Sequence, residues 1–129
     1  MFGSKSILIA DGSIYAALDL TQALENNEGC VAGPVATLSE ALAILDSQPL
    51  AGAIVDCELP DAAALVMWLK EAGVPLVVQT SVPLPAALHA LYGQISVLMR
   101  PVNSSVVLEA LAQEIGKSGP QRMDVGVGT

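Results

Sequence analysis

Five short and almost continuously apolar runs recur along the chain, and segments with helical spacing separate them. The runs cover residues 7–10, 30–35, 51–55, 75–80 and 95–99. Runs without polar alternation are typical of strands that are covered on both faces, as in a parallel sheet between helices. The succession of apolar runs and helical segments predicts an α/β fold with a doubly wound five-stranded parallel sheet, because right-handed crossovers place helices on both of its faces.

The segments between the runs carry start signals and apolar stripes for five helices. Thr37 and Glu40 form a capping box ahead of the second helix, and Asn103 is a good N-cap for the fifth. The short fourth helix has its stripe at Leu84, Leu88 and Leu91. Periodicity stops after Gly116, so we expect one domain over residues 1–116 and a disordered tail over 117–129.

Composition excludes several functional classes. The net charge is −8 and the five cations are scattered, so we expect no nucleic-acid binding and no binding to an anionic membrane. No stretch approaches the roughly 20 apolar residues of a membrane span. Two cysteines, Cys30 and Cys57, without a regular framework favour free thiols and a cytoplasmic protein.

Polar side chains follow the expected strands at their carboxyl ends. In the flavodoxin-like strand order 2-1-3-4-5, the first and third strands flank the point at which ligands bind. The first ends in Asp11, the third in Asp56, the fourth in Thr80 and the fifth in Arg100. One carboxylate could be an acceptor nucleophile, a second could hold Mg²⁺, and the hydroxyl and the cation could bind phosphate oxygens.

Residues 6–116 resemble a response-regulator receiver domain of the chemotaxis type. Residues 54–61, Ile-Val-Asp-Cys-Glu-Leu-Pro-Asp, resemble the phospho-acceptor signature of that family. Residues 77–81 resemble its fourth strand with a conformation-sensing hydroxyl, and residues 98–101 resemble the Lys-Pro pair after its fifth strand. The resemblance also implies a cis peptide bond before Pro101.

The resemblance implies a single-domain response regulator in two-component phosphorelay signalling, not an enzyme in the ordinary sense. Asp56 would accept a phosphoryl group from a histidine kinase or phosphotransfer protein, with Thr80 and Arg100 at its oxygens. Asp11, Asp56 and the backbone of Glu58 would hold Mg²⁺. Output would go to another protein, or to a homodimer, through the face of the fourth helix, fifth strand and fifth helix.

Three positions depart from the family pattern. Gly12 replaces the second acid of an adjacent pair, so a weakened Mg²⁺ site is expected. Arg100 replaces lysine, and arginine prefers bidentate carboxylate pairing, so a resting salt bridge to Asp56 or Asp11 is expected. Val97 replaces the aromatic switch residue.

Two alternatives follow from the same residues. The first is a phosphorylation-independent pseudo-receiver that acts as a constitutive protein-binding module. The second is a flavin- or nucleotide-binding enzyme, which the sequence disfavours because residues 11–15 form neither a Ser/Thr-rich phosphate loop nor a G-x-G-x-x-G motif.

Overall fold

The computed structural model describes residues 1–84, 86, 90, 92, 93 and 95–127, and side chains are described as far as residue 117. Four helices and five strands have defined bounds. The strands are β1 Ser6–Ala10, β2 Cys30–Val35, β3 Gly52–Asp56, β4 Leu76–Thr80 and β5 Ser96–Met99. The helices are α1 Ile14–Asn26, α2 Leu38–Ser47, α3 Ala62–Glu71 and α4 Ser104–Val127.

The five strands form one parallel sheet in the order β2-β1-β3-β4-β5. This result confirms the predicted fold class and strand order. The order in which the strands are added to the sheet reverses between β1 and β3, which lie side by side and pair, for example, through Ile9 and Ile54. Each strand lies within a residue or so of its apolar run. The three inner strands β1, β3 and β4 are buried on both faces and need continuous apolar residues, whereas the edge strands β2 and β5 are partly exposed.

Two hydrophobic cores lie on opposite faces of the sheet. Alternate residues of β1 separate between them, with Leu8 in one core and Ile7 in the other. The first core packs against α2 and α3, the second against α1 and α4. Both cores consist mainly of aliphatic side chains, with Tyr92 in the first and Phe2 in the second, and they bury the neighbouring strands β1 and β3 so that polar groups are left only at the ends of these strands.

Local signals explain where two of the helices begin. The Ser13 side chain accepts a hydrogen bond from Ala16 N at the start of α1. In the capping box of α2, Glu40 N donates to Thr37 Oγ1 at 3.1 Å. The Glu40 carboxylate accepts a bond from Ala36 N at 3.1 Å, which satisfies a second donor at this helix end.

The last helix differs from the expectation drawn from the sequence. The backbone of α4 stays helical to Val127, beyond Gly116, where the pattern predicted the helix to end. Among the described side chains, the packed residues of α4 end at Ile115, so periodicity marks the end of packing and not the end of the helix. The division into a domain 1–116 and a tail 117–129 stays a prediction.

The short fourth helix predicted around Leu84, Leu88 and Leu91 falls largely outside the described residues, and α4 corresponds to the fifth helix of the sequence analysis. The peptide bond between Arg100 and Pro101 is cis, as predicted, and so is the bond between Gly33 and Pro34. Within the described part of the chain, helices that combine the length and the apolar character of a membrane span do not occur.

Candidate functional site

The carboxyl edge of the sheet gathers the four side chains that the sequence singled out. Asp11 directly follows β1, Asp56 ends β3, Thr80 ends β4 and Arg100 follows β5. Parallel strands end at the same edge, so the strand order brings these positions together. Asp11, Asp56 and Thr80 are all buried, although their side chains are polar.

Arg100 joins the two carboxylates. Its Nη2 donates to Asp11 Oδ2 at 2.5 Å, and its Nη1 lies 3.5 Å from Asp56 Oδ1. Nη2 also lies 3.3 Å from Gln79 Oε1. The resting salt bridge expected for Arg100 is therefore present, and it reaches both acids, not one of them.

Asp56 presents its two oxygens differently. Oδ1 accepts a hydrogen bond from Glu58 N at 2.9 Å and faces Arg100. Oδ2 accepts no hydrogen bond and makes no ion pair with any described residue. This oxygen is not fully buried. One oxygen of Asp56 is thus held in place, while the other has no partner among the described residues.

Asp11 is the most deeply enclosed charge of the site. Its side chain is 2% exposed, and Oδ1 accepts a bond from Ser13 N at 2.8 Å. Burial raises the pKa of the Asp11 carboxyl above its ordinary value, and the nearby Asp56 charge raises it further. The Ser13 amide and Arg100 oppose this rise.

Glu58 connects two loops of the site through its side chain. Its Oε2 accepts a hydrogen bond from Ser81 N at 2.9 Å, which ties the loop after β3 to the loop after β4. Hydrogen bonding from the side chain of Ser81, and then from its amide, lowers the pKa of the Glu58 carboxyl, with a smaller contribution from the charge of Arg100. The carboxylate is therefore engaged away from Asp56.

The hydroxyl of Thr80 lies at the predicted edge but faces the loop that follows. Oγ1 donates to Val82 O at 2.7 Å and accepts from Val82 N at 3.2 Å. It makes no hydrogen bond to Asp56 among the described residues. Val97 packs half-buried against the core beneath, where the family pattern has an aromatic side chain.

Solved structures similar to this chain are receiver domains. One from Methanospirillum hungatei JF-1, described as CheY-like, superimposes with a TM-score of 0.81 at 23% identity, over 92% of this chain and 98% of its own. A response regulator receiver protein from Sinorhizobium medicae WSM419 has a TM-score of 0.76 at 22% identity, over 92% and 99%. The signal receiver domain of a modulated diguanylate cyclase from Desulfovibrio desulfuricans G20 has a TM-score of 0.81 at 20% identity, over 92% of this chain.

The chain has the fold of a response-regulator receiver domain. No protein-family model matches the chain, and no curated protein matches it at a significant level. The receiver fold is thus established by structure, while the identities of 20–23% leave the function to be argued from the site.

The residues of this receiver fold do not fit the predicted Mg²⁺ site. Arg100 already binds Asp11 Oδ2 and faces Asp56 Oδ1, the oxygens that a cation between the two acids would need. Gly12 offers no side-chain oxygen, and Glu58 Oε2 is bonded to Ser81 N, which leaves the backbone of Glu58 as the one predicted ligand that Arg100 does not contact. No group of three or more acidic, histidine or cysteine side chains poised to hold a metal occurs in the described part of the chain.

Sequence reasoning missed two parts of the site. Gln79 is 4% exposed and shares Nη2 of Arg100 with Asp11. The available signal was its position in β4, where it interrupts the apolar run one residue before Thr80. The amide of Ser81 binds Glu58 across 23 positions of sequence, and no local pattern marks such a contact.

Proposed function

We propose that this chain acts as a response-regulator receiver in two-component phosphorelay signalling and accepts a phosphoryl group on Asp56. The observation that carries the proposal is the arrangement of the Asp56 carboxylate. Oδ1 is held by the Glu58 amide and Arg100, and Oδ2 has no partner among the described residues. A carboxylate that is fixed by one oxygen and open at the other is suited to nucleophilic attack.

The step is a transfer from a phosphohistidine of a histidine kinase or phosphotransfer protein. Asp56 Oδ2 attacks phosphorus and forms an O–P bond, and the P–N bond breaks with its electron pair left on the histidine nitrogen. No oxidant or reductant takes part. The acyl phosphate adds negative charge beside Asp11, and Arg100 is the described cation within reach of that charge.

Coupling to the rest of the molecule would run through the loops after β3 and β4. Glu58 follows Asp56 by two positions and binds Ser81 N, so displacement of Glu58 loosens the loop that holds the Thr80 hydroxyl. The Thr80 hydroxyl would then turn from Val82 O to a phosphoryl oxygen. Such a switch is a shift in the population of two conformations.

Output through a protein partner or a homodimer belongs to the same proposal. On the face proposed for this contact, Met99 at the end of edge strand β5 is 51% exposed and Val106 on α4 is 44% exposed. Exposed apolar side chains at a sheet edge are suited to protein contacts. The unpaired thiols of Cys30 and Cys57 support a cytoplasmic setting.

The test is incubation with acetyl phosphate, with and without Mg²⁺, followed by intact-mass analysis. We expect one added phosphoryl group that hydroxylamine removes, as an acyl phosphate requires. Asp56→Asn keeps the size of the side chain and must abolish the gain, whereas Asp46→Asn, an exposed acid on α2, must leave it intact. A flat response in both conditions would refute phosphorylation and favour the constitutive binding module.

A further inference from the structure

The Arg100 side chain already forms ion pairs with both acids of the site, Asp11 and Asp56. The guanidinium of Arg100 spans Asp11 Oδ2 at 2.5 Å and Asp56 Oδ1 at 3.5 Å, and Asp11 is almost fully enclosed. A metal ion that used these two oxygens would have to displace the guanidinium from both. The exposed fraction of the Arg100 side chain is only 21%, so displacement also requires the arginine to leave a largely enclosed position.

The side-chain oxygens that could compensate a divalent ion for this displacement are lacking. Mg²⁺ demands near-octahedral oxygen coordination, commonly with one or two carboxylates and several waters. Gly12 contributes no carboxylate next to Asp11, and the Glu58 carboxylate is held by Ser81 N at 2.9 Å. The two remaining acids are Asp11 and Asp56, and Arg100 already pairs with Asp11 Oδ2 and Asp56 Oδ1.

We propose that Arg100 is the resident cation of this site and takes the place of a divalent metal ion. The inference rests on the proposed function for its consequence, which is that phosphoryl transfer to Asp56 does not depend on divalent ions. A guanidinium is planar and always charged, and it binds carboxylate and phosphate oxygens in pairs. It can keep Nη2 on Asp11 while Nη1, now 3.5 Å from Asp56, turns to a phosphoryl oxygen.

The first test measures metal binding directly, without phosphorylation. Three amides donate to the site carboxylates and report on any ion held there: Ser13 to Asp11, Glu58 to Asp56 and Ser81 to Glu58. Mn²⁺ is titrated into the full chain, and line broadening of these amides is followed by NMR. We expect no selective broadening at millimolar Mn²⁺; selective broadening of these three amides would overturn the proposal.

A double variant shows that the assay can detect a metal site. The double variant Gly12→Asp with Arg100→Ala restores an acid beside Asp11 and removes the competing cation. A Cβ at Gly12 meets only the flexible Leu59 Cδ2, at 3.3 Å, so the substitution is tolerable. We expect at least about tenfold tighter Mn²⁺ binding than in the natural chain, since ligand charge sets the affinity of such sites.

The matched control is Gly116→Asp with Arg100 intact, because a Cβ at this position meets nothing within 4 Å and the added acid lies on α4, away from the sheet edge. It must leave Mn²⁺ binding unchanged. If the double variant fails to fold, Gly12→Asp alone serves. The reference without arginine is then the variant that combines Gly12→Asp with Arg100→Lys. Weaker Mn²⁺ binding by Gly12→Asp alone than by this reference supports the role of Arg100 as competitor, and equally tight binding by the two overturns it.

The second test separates this inference from the proposed function. Acetyl phosphate is supplied in EDTA and, separately, in Mg²⁺, and the rate of acyl phosphate formation is compared. Equal rates support the proposal. Modification only with Mg²⁺ overturns it and leaves phosphorylation of Asp56 standing, whereas no modification in either condition refutes the proposed function and leaves the Mn²⁺ titration to decide the inference.

Discussion

Replacement of Arg100 by glutamine should destabilise the fold in a way that depends on pH. Glutamine keeps an amide donor but removes the positive charge from a pair in which the Asp11 side chain is 2% exposed. Breaking a buried ion pair by removing one partner leaves the other charge uncompensated, which typically costs about 3–5 kcal/mol. The Coulomb term alone is about 4 kcal/mol for charges about 4 Å apart at an effective dielectric of about 20.

Protonation of Asp11 limits this loss. Neutralising a carboxyl group of ordinary pKa at neutral pH costs about 4 kcal/mol, at about 1.4 kcal/mol per pH unit, and a raised pKa makes it cheaper. Because burial already raises the pKa of Asp11 in the folded chain, we expect a net loss of about 2–3 kcal/mol in the free energy of unfolding at neutral pH.

The sign of the pH dependence follows from the direction of that pKa. A carboxyl whose folded pKa is raised contributes stability below its unfolded pKa, and this contribution is lost as the pH rises through the folded pKa. Without Arg100 the folded pKa of Asp11 rises further, because a charge that lowers it is gone. The difference between Arg100→Gln and the natural chain should therefore shrink as the pH falls from neutral to about 4.

Urea unfolding followed by far-UV circular dichroism, at neutral and at acid pH, measures this difference. Lys117→Gln is the matched control, because it removes the same charge from a pair with Glu114 in which Lys117 is 63% exposed. Such surface pairs contribute about 0.5 kcal/mol or less, so the control should barely change stability. A loss from Arg100→Gln that is independent of pH, or no larger than the control, would refute the reasoning.

Two further predictions concern the N-cap of α2 and a glycine with positive φ in β2. Thr37→Ala removes the cap of α2, which Glu40 N reaches at 3.1 Å, and should lower the free energy of unfolding by about 1 kcal/mol in urea titration; an unchanged midpoint would contradict the role of the cap. Gly33→Ala places a Cβ 2.8 Å from Val35 N at a φ of +102° and should cost about 2 kcal/mol or more. Gly73→Ala, at a φ of +74° with nothing within 4 Å, isolates the backbone strain and should cost only about 1 kcal/mol; equal losses at both glycines would rule out the contact with Val35.

The sequence was informative wherever one local pattern decides the structure. Buried parallel strands require continuous apolar residues, so the polar residues that end the first, third, fourth and fifth runs mark the sheet edge. Asp11, Asp56 and Thr80 were placed in this way, and each lies where expected. The salt bridge of Arg100 was predictable because an arginine beside two enclosed carboxylates has few other ways to satisfy its charge.

Contacts that depend on the distance between loops were not predictable. The backbone of Glu58 was expected to hold Mg²⁺ beside Asp56, which stays a prediction, and the contact that was not foreseen is that of its side chain with Ser81 N in a different loop. This contact depends on how closely the loops after β3 and β4 approach, and sequence spacing does not contain that distance. The end of α4 was missed for a related reason, since the helical backbone continues past the last packed residue, Ile115, without an apolar stripe to reveal it.

The buried charges themselves argue that the site is retained for a purpose other than stability. A buried ion pair is often no more stabilising than apolar residues of similar volume, and here one guanidinium faces two carboxylates. Burial raises the pKa of Asp11 and the charge of Asp56 raises it further, so the folded chain keeps a desolvation cost at this carboxyl. A fold built only for stability would lose the second acid. Its presence beside Arg100, with Asp56 Oδ2 left without a described partner, is accounted for if that oxygen is the one that reacts.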